Sequence, residues 1–253
     1  MKNFVAIIFV LCFILQDFTA QSQVDTIFDK ANKAYMQKDY PTAIHLYTDI
    51  ISAGNVSADV YYNLGNAYFK NSQLSQAILW YERALRIDPS NEDIIYNIVF
   101  ANSRITDEME TMPDFFLKRW FKSMYSSLSS MAWAVTSLVL CVCLFIFLVV
   151  LLLSASAKRR IFLFFASVLL FLLLAMSITF AYLQHKQSLR DDEAIIMRMS
   201  VAVKSMPDKA GTDLFTVHEG LKVRLLDKVG NWIEVVFPNG HKGWIEETAV
   251  EII

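Results

Sequence analysis

Cysteine is nearly absent. Cys12, Cys141 and Cys143 are the three in 253 residues, and each lies inside an apolar run. The rest of the chain can therefore hold no disulfide framework and no cysteine-based zinc site. The three thiols themselves read as compact packing residues. Histidine is also scarce: His45, His185, His218 and His241 fall in three separate segments without metal-ligand spacing. The chain has no Gly-rich phosphate loop, no nucleophile elbow and no HExxH. Asp107, Glu108 and Glu110 form an acidic run, which reads as a solvated helix end. With no nucleophile, base and oxyanion donors to assemble, the sequence argues against an enzyme, and neither cofactor nor metal is expected.

A strong charge of one sign is missing as well. The net charge is −2, a mean over unlike parts. Residues 23–112 carry 12 acidic and 7 basic side chains, and residues 191–253 carry 11 and 7. Residues 113–190 carry 8 basic side chains and 1 acidic one. Two mildly acidic segments thus flank a basic, apolar middle, and neither offers a basic field to nucleic acid.

The apolar content of 55% is concentrated in residues 1–20 and 131–183. Residues 1–22 read as a signal peptide: Lys2 precedes an apolar core from Phe4 to Leu15, and Ala20-Gln21-Ser22 fits a small-residue cleavage site. The alternative is an uncleaved anchor, although twelve apolar residues span only about 18 Å of helix. Met131–Leu153 and Ile161–Leu183 are each 23 residues without a charge, about 34 Å of helix apiece and enough to cross a bilayer. Lys158, Arg159 and Arg160 between them exclude one continuous buried helix. The segment reads as a transmembrane hairpin, 131–153 and 161–183 joined by a turn over 154–160, which sets both flanking domains on one side.

Positive-inside reasoning puts the turn in the cytoplasm, against five outer cations, Lys118, Arg119, Lys122, Lys186 and Arg190. The signal peptide and the density of the three-cation cluster decide for a cytoplasmic turn. Residues 113–130 interleave Phe115, Phe116, Trp120 and Tyr125 with cations and read as an amphipathic segment on the membrane surface. Membrane lipid is thus an expected partner.

Residues 24–57 and 58–91 repeat with a 34-residue period. In the second copy Leu64, Gly65, Tyr68, Ala77, Tyr81, Ala84 and Pro89 fall on the signature positions of the tetratricopeptide repeat, which this stretch resembles closely. The first copy keeps Ala31, Ala43 and Tyr47 but has Ala34, Ile50 and Asn55 where Tyr, Ala and Pro are usual. A third copy starts at Glu92 and fades, which reads as a capping helix within a repeat domain over 23–112. The resemblance implies a concave groove that binds proteins or peptides, lined by Phe28, Asn32, Tyr35, Tyr62, Asn66, Phe69 and Lys70. Packing is the alternative role for each. Asn32 and Asn63 stand where some relatives clamp a carboxylate, but Phe28, Asp93 and Asn97 replace the clamp's cations, so no such clamp is expected.

After a linker over 184–193, the pattern changes to period two. Leu221, Val223 and Leu225 alternate with Lys222 and Arg224, and Pro238-Asn239-Gly240 marks a hairpin turn. The order of segments over 194–253 resembles bacterial SH3-like domains. That implies a small all-β barrel in which Trp232 and Trp244 either line a ligand groove or pack. Some such domains bind cell-wall peptides.

The expected fold class is a multidomain membrane protein: all-α tetratricopeptide helical repeat, transmembrane helical hairpin and small all-β SH3-like barrel. This order resembles the BatE family of the Bacteroides aerotolerance group across nearly the whole chain. The resemblance implies a non-enzymatic scaffold or assembly factor in the bacterial inner membrane, with both domains periplasmic. It also implies Bat proteins with von Willebrand factor A domains as partners. The alternative function is an envelope sensor or tether that binds peptidoglycan through the SH3-like domain.

Overall fold

The computed structural model describes residues 24–109 and 115–253; the expected export signal lies outside them. The chain divides into two units. Residues 24–84, 93–109 and 192–253 belong to one, and residues 85–92 and 115–191 to the other.

Helix α1 covers 24–36, followed by α2 (Tyr40–Ser52), α3 (Ala58–Lys70), α4 (Leu74–Ile87) and α5 (Glu92–Asn102); all but the end of α4 and Glu92 belong to the first unit. Local chemistry punctuates them. Asp39 caps α2 by accepting from the Thr42 amide, with Pro41 in its first turn, and Ser57 caps α3 through the Val60 amide. Lys38 and Ser72 adopt positive φ of 64° and 61° at equivalent points of the two repeats. In both turns the next residue's amide reaches back into the preceding helix, Asp39 to Ala34 and Gln73 to Tyr68.

Small residues let the helices approach closely. Ala31, Ala43, Ala67 and Ala77 are wholly buried. At Gly65 an added Cβ would lie 2.6 Å from the Tyr81 ring, so the glycine is the space that the ring occupies. Tyr47, Ile50, Leu64, Ile78, Leu79 and Tyr81 fill the remaining core.

The same unit carries seven antiparallel strands: β1 (Glu193–Ile196), β2 (Ser200–Lys204), β3 (Asp213–His218), β4 (Lys222–Val229), β5 (Trp232–Val236), β6 (Lys242–Glu246) and β7 (Val250–Ile252). They form one sheet in the order β3-β2-β6-β5-β4-β1-β7, with a register shift between Leu225 and Asp227. Strand alternation sends Val201, Val203, Val223, Ile233, Val235 and Ile245 into a shared core. Ile105 and Met109, which follow α5, pack against that core.

Polar contacts join the sheet and its turns to the helices and to the segment after α5. Ser75 donates to Glu219 at 2.8 Å, and Lys222 reaches Glu82 at 2.9 Å. Arg83 bonds the Glu251 carboxylate at 3.1 Å and the Ile252 carbonyl at 2.7 Å. Asp107 accepts from the His218 amide and meets its ring Nδ1 at 2.8 Å. Between them Gly220, at φ 88°, lies against Ile105 and Ile78, where a Cβ would come within 2.7 and 3.1 Å.

The second unit holds α6 (Phe116–Tyr125), α7 (Ser130–Leu153) and α8 (Ala157–Ser188). The last two are long and apolar enough to cross a membrane, by length and composition. They run to about 36 and 48 Å at the helical rise. Helix α8 begins ahead of Lys158 and ends at Ser188, so it takes in the three cations and half of the expected linker. The two helices pack against each other extensively, and polar and aromatic contacts are among those that join them. The Ser137 and Ser177 hydroxyls meet at 2.9 Å, and the Trp133 and Phe180 rings meet edge to face at 5.1 Å.

Candidate functional site

The groove candidates stand on the first helix of each repeat, α1 and α3. Five of the seven groove candidates, Tyr35, Tyr62, Asn66, Phe69 and Lys70, line one cleft of about 330 Å³ together with Tyr81, Tyr96, Asn97 and Phe100. That is the low end of the size range of ligand pockets, enough for one or two side chains of a partner. Six of its nine lining residues are aromatic, Asn66 and Asn97 supply amides, and Lys70 supplies the cation. The rings contact one another at 5.6 Å (Phe69 and Phe100) and 5.9 Å (Tyr62 and Tyr81). Arg104 lies over the Phe100 ring at 5.0 Å.

The other two candidates sit elsewhere. Phe28 meets the edge of Tyr47 at 5.9 Å and borders a separate cavity of about 390 Å³ with Asp25, Asn55 and Asp59. The Asn32 Oδ1 accepts from the Tyr47 hydroxyl at 2.6 Å and from the Asn63 amide at 3.5 Å. Its acceptor oxygen serves the repeat's own packing.

The same arrangement recurs 34 positions later. Asn66 Oδ1 accepts from the Tyr81 hydroxyl at 2.8 Å and from the Asn97 amide at 2.9 Å. Asn97 also donates to the Tyr62 hydroxyl at 3.0 Å. Each unit of this ladder links the first helix of one repeat, its second helix and the first helix of the next. It ends where Phe100 stands at the position equivalent to Asn32 and Asn66. Sequence reasoning missed the ladder, although its signal was present: the period already aligns Asn32 with Asn66, Tyr47 with Tyr81 and Asn63 with Asn97.

Burial affects the phenols. It raises Tyr47 to about 12, helped by Tyr35, and it raises Tyr81 further, helped by Tyr62 and Tyr35 and opposed by the Asn97 hydrogen bond. Tyr35 is also raised, first by burial and then by Tyr40 and Tyr62. The cleft therefore presents neutral hydroxyls and amides around apolar rings. Such a surface suits a peptide backbone with an apolar side chain.

On the sheet, Trp232 pairs with Glu246 and Trp244 with Glu234, which sets both indoles on the face opposite the core residues Ile233 and Ile245. Both tryptophans are half-buried. Among the described residues, no group of three His, Cys, Asp or Glu side chains is placed to hold a metal ion.

Residues 58–91 match the family described as Tetratricopeptide repeat. Human Tetratricopeptide repeat protein 6 is 37% identical over 57 residues, which cover 22% of this chain and 11% of that protein. The likeness thus spans about a ninth of that curated relative.

Proposed function

We propose that the protein is a membrane-anchored scaffold whose helical repeats bind an extended segment of a partner protein. The carrying observation is the cleft around Tyr62 and Asn66, where aromatic walls and two amides converge. The repeat family match supports the interaction role. The polar contacts between sheet and helices support a single rigid body that displays both modules together.

Anchoring rests on α7 and α8. None of the α7 side chains is buried, and Leu152 and Leu153 are about 80% exposed. An apolar surface of that extent calls for hydrocarbon as its solvent. With an export signal at the start of the chain, the hairpin sets the scaffold in the inner membrane, with repeats and sheet periplasmic and the Lys158, Arg159 and Arg160 cluster at the start of α8 cytoplasmic. The sheet is taken as an SH3-like barrel. The segment order supports a role like that of the BatE proteins, in a Bat-type complex linked to aerotolerance or envelope stress, with von Willebrand factor A-type Bat proteins as partners.

Affinity capture from native membranes tests the groove. The double variant Tyr62→Ala, Asn66→Ala is expected to lose partners that the parent chain retains, and an unchanged partner set would sink the assignment. Reporter fusions at residues 110, 157 and 253 test topology, and periplasmic activity at 157 alone overturns it.

The outward tryptophans favour a second reading, an envelope sensor or tether that binds peptidoglycan. Sedimentation of the full chain in detergent with purified cell wall separates the two. Pelleting that Trp232→Ala and Trp244→Ala abolish favours the tether, and no pelleting removes it.

A further inference from the structure

Helix α6 has ten residues, and none of them is buried. Its sequence FLKRWFKSMY divides cleanly at 100° per residue. Phe116, Leu117, Trp120, Phe121, Met124 and Tyr125 fill one half of the helix, and Lys118, Arg119, Lys122 and Ser123 fill the other. Phe116 and Trp120 are more than 60% exposed. A helix with such a face is unstable alone in water at this length, so the face needs an apolar cover.

The position of α6 along the hairpin is fixed by specific contacts. The Trp133 indole N–H donates to the Tyr125 carbonyl at 2.9 Å, satisfying one of the free carbonyls at the end of α6. The Phe180 ring lies between Phe121, at 5.7 Å, and Trp133, at 5.1 Å. Trp133 stands in the first turn of α7, and Phe180 in the last third of α8. The helix is therefore held where the two long apolar helices end. An aromatic half paired with a cationic half, at that level, matches the chemistry of an interfacial helix.

We propose that α6 is a docking surface for anionic phospholipid headgroups. Its aromatic half enters the boundary between headgroups and acyl chains, and Lys118, Arg119 and Lys122 meet the phosphates. The occupant follows from continuity and charge. The chain passes from α6 into a helix with no charged and no buried side chain, and α6 itself carries three cations and no acidic side chain. The proposal rests on the membrane anchoring put forward above and adds lipid selectivity to it.

The test uses the full chain reconstituted in phosphatidylcholine vesicles with or without phosphatidylglycerol. Tryptophan emission is quenched by lipids spin-labelled at the headgroup, and the part lost in Trp120→Phe belongs to Trp120. Labelled phosphatidylglycerol is expected to quench Trp120 more strongly than labelled phosphatidylcholine. The preference is expected to fall by up to about fivefold for each of Lys118→Gln, Arg119→Gln and Lys122→Gln at low salt, and to shrink as salt rises. Equal quenching by both lipids overturns the selectivity. No quenching in a chain that still resists alkaline extraction overturns the docking and leaves the anchoring intact. Extraction of the chain by alkali overturns both. Shielding of Trp120 that requires added envelope proteins also overturns the proposal, in favour of a protein partner.

Discussion

The Lys222 ammonium lies 2.9 Å from the Glu82 carboxylate, joining the first residue of β4 to a nearly buried acid on α4. Glu193 of β1 closes on the same ammonium at 2.9 Å. Burial alone would lower the lysine's pKa, but Glu82 and Glu193 together outweigh it and hold it above its ordinary value. This shared cation lies at the boundary between sheet and helices.

Lys222→Met is expected to destabilise the first unit. It leaves Glu82, 11% exposed, without its cation and facing Glu193. Losing one partner of a buried pair costs about 3–5 kcal/mol. The lysine is 36% exposed, so solvent screening reduces this to about 1–3 kcal/mol. Urea unfolding monitored by circular dichroism measures it. The double variant Lys222→Met, Glu82→Met is expected to recover part of the loss, since it no longer buries an unpaired charge at position 82.

Gly65→Ala tests the close approach of α3 and α4. Alanine favours a helix interior by about 1 kcal/mol, yet its Cβ would sit 2.6 Å from a Tyr81 ring that Asn66 holds in place. Overpacking of about 1–3 kcal/mol is expected to prevail. A thermal midpoint below that of the parent confirms this, and a rise would show that the ring gives way.

Tyr47→Phe and Tyr81→Phe each remove one rung of the amide ladder while preserving the ring. Each is expected to cost about 1–2 kcal/mol, because an asparagine oxygen loses its hydroxyl donor. The Asn97 amide still reaches Asn66 at 2.9 Å, whereas the Asn63 contact with Asn32 is 3.5 Å. Tyr47→Phe is therefore expected to be the costlier of the two. Chemical denaturation of both variants side by side decides the order.

Alkaline pH is expected to weaken the fold. Tyr47 titrates near 12 when folded, against an ordinary value of 10.0. Its contribution is complete below pH 10 and is lost as pH rises toward 12, about 2–3 kcal/mol across the interval. Tyr81 and Lys222 are also raised and act in the same direction. Stability measured from pH 9 to 12 should fall, and Tyr47→Phe should flatten the curve.

Gly220→Ala probes the seam directly. The residue has φ 88°, and a Cβ would come within 2.7 Å of Ile105. Both strain and the clash oppose alanine. Faster amide exchange in β3 and β4 is expected, with α1 and α2 unchanged.

The helical repeats were legible because their information is local. Alanine and glycine at fixed spacing and the 34-residue period place each signature position within one helical hairpin or its neighbour. The two apolar helices were legible for the same reason, from composition and length alone. Of the groove candidates, only some come together in space. Five candidates share a cleft because they lie on equivalent turns of adjacent first helices. Phe28 and Asn32 do not line it, since Tyr47 engages both from the second helix.

Periodicity in the sequence thus determined helices, strands and their buried faces, because each depends on side chains a few positions apart. Only the tertiary structure decided which polar groups meet across the seam. Ser75 with Glu219, Glu82 with Lys222, Arg83 with Glu251 and Asp107 with His218 join residues more than a hundred positions apart. No periodic pattern encodes such pairs. They follow from the way two independently patterned surfaces bring complementary charges together, beside the apolar packing of Ile105 and Met109 against the sheet core.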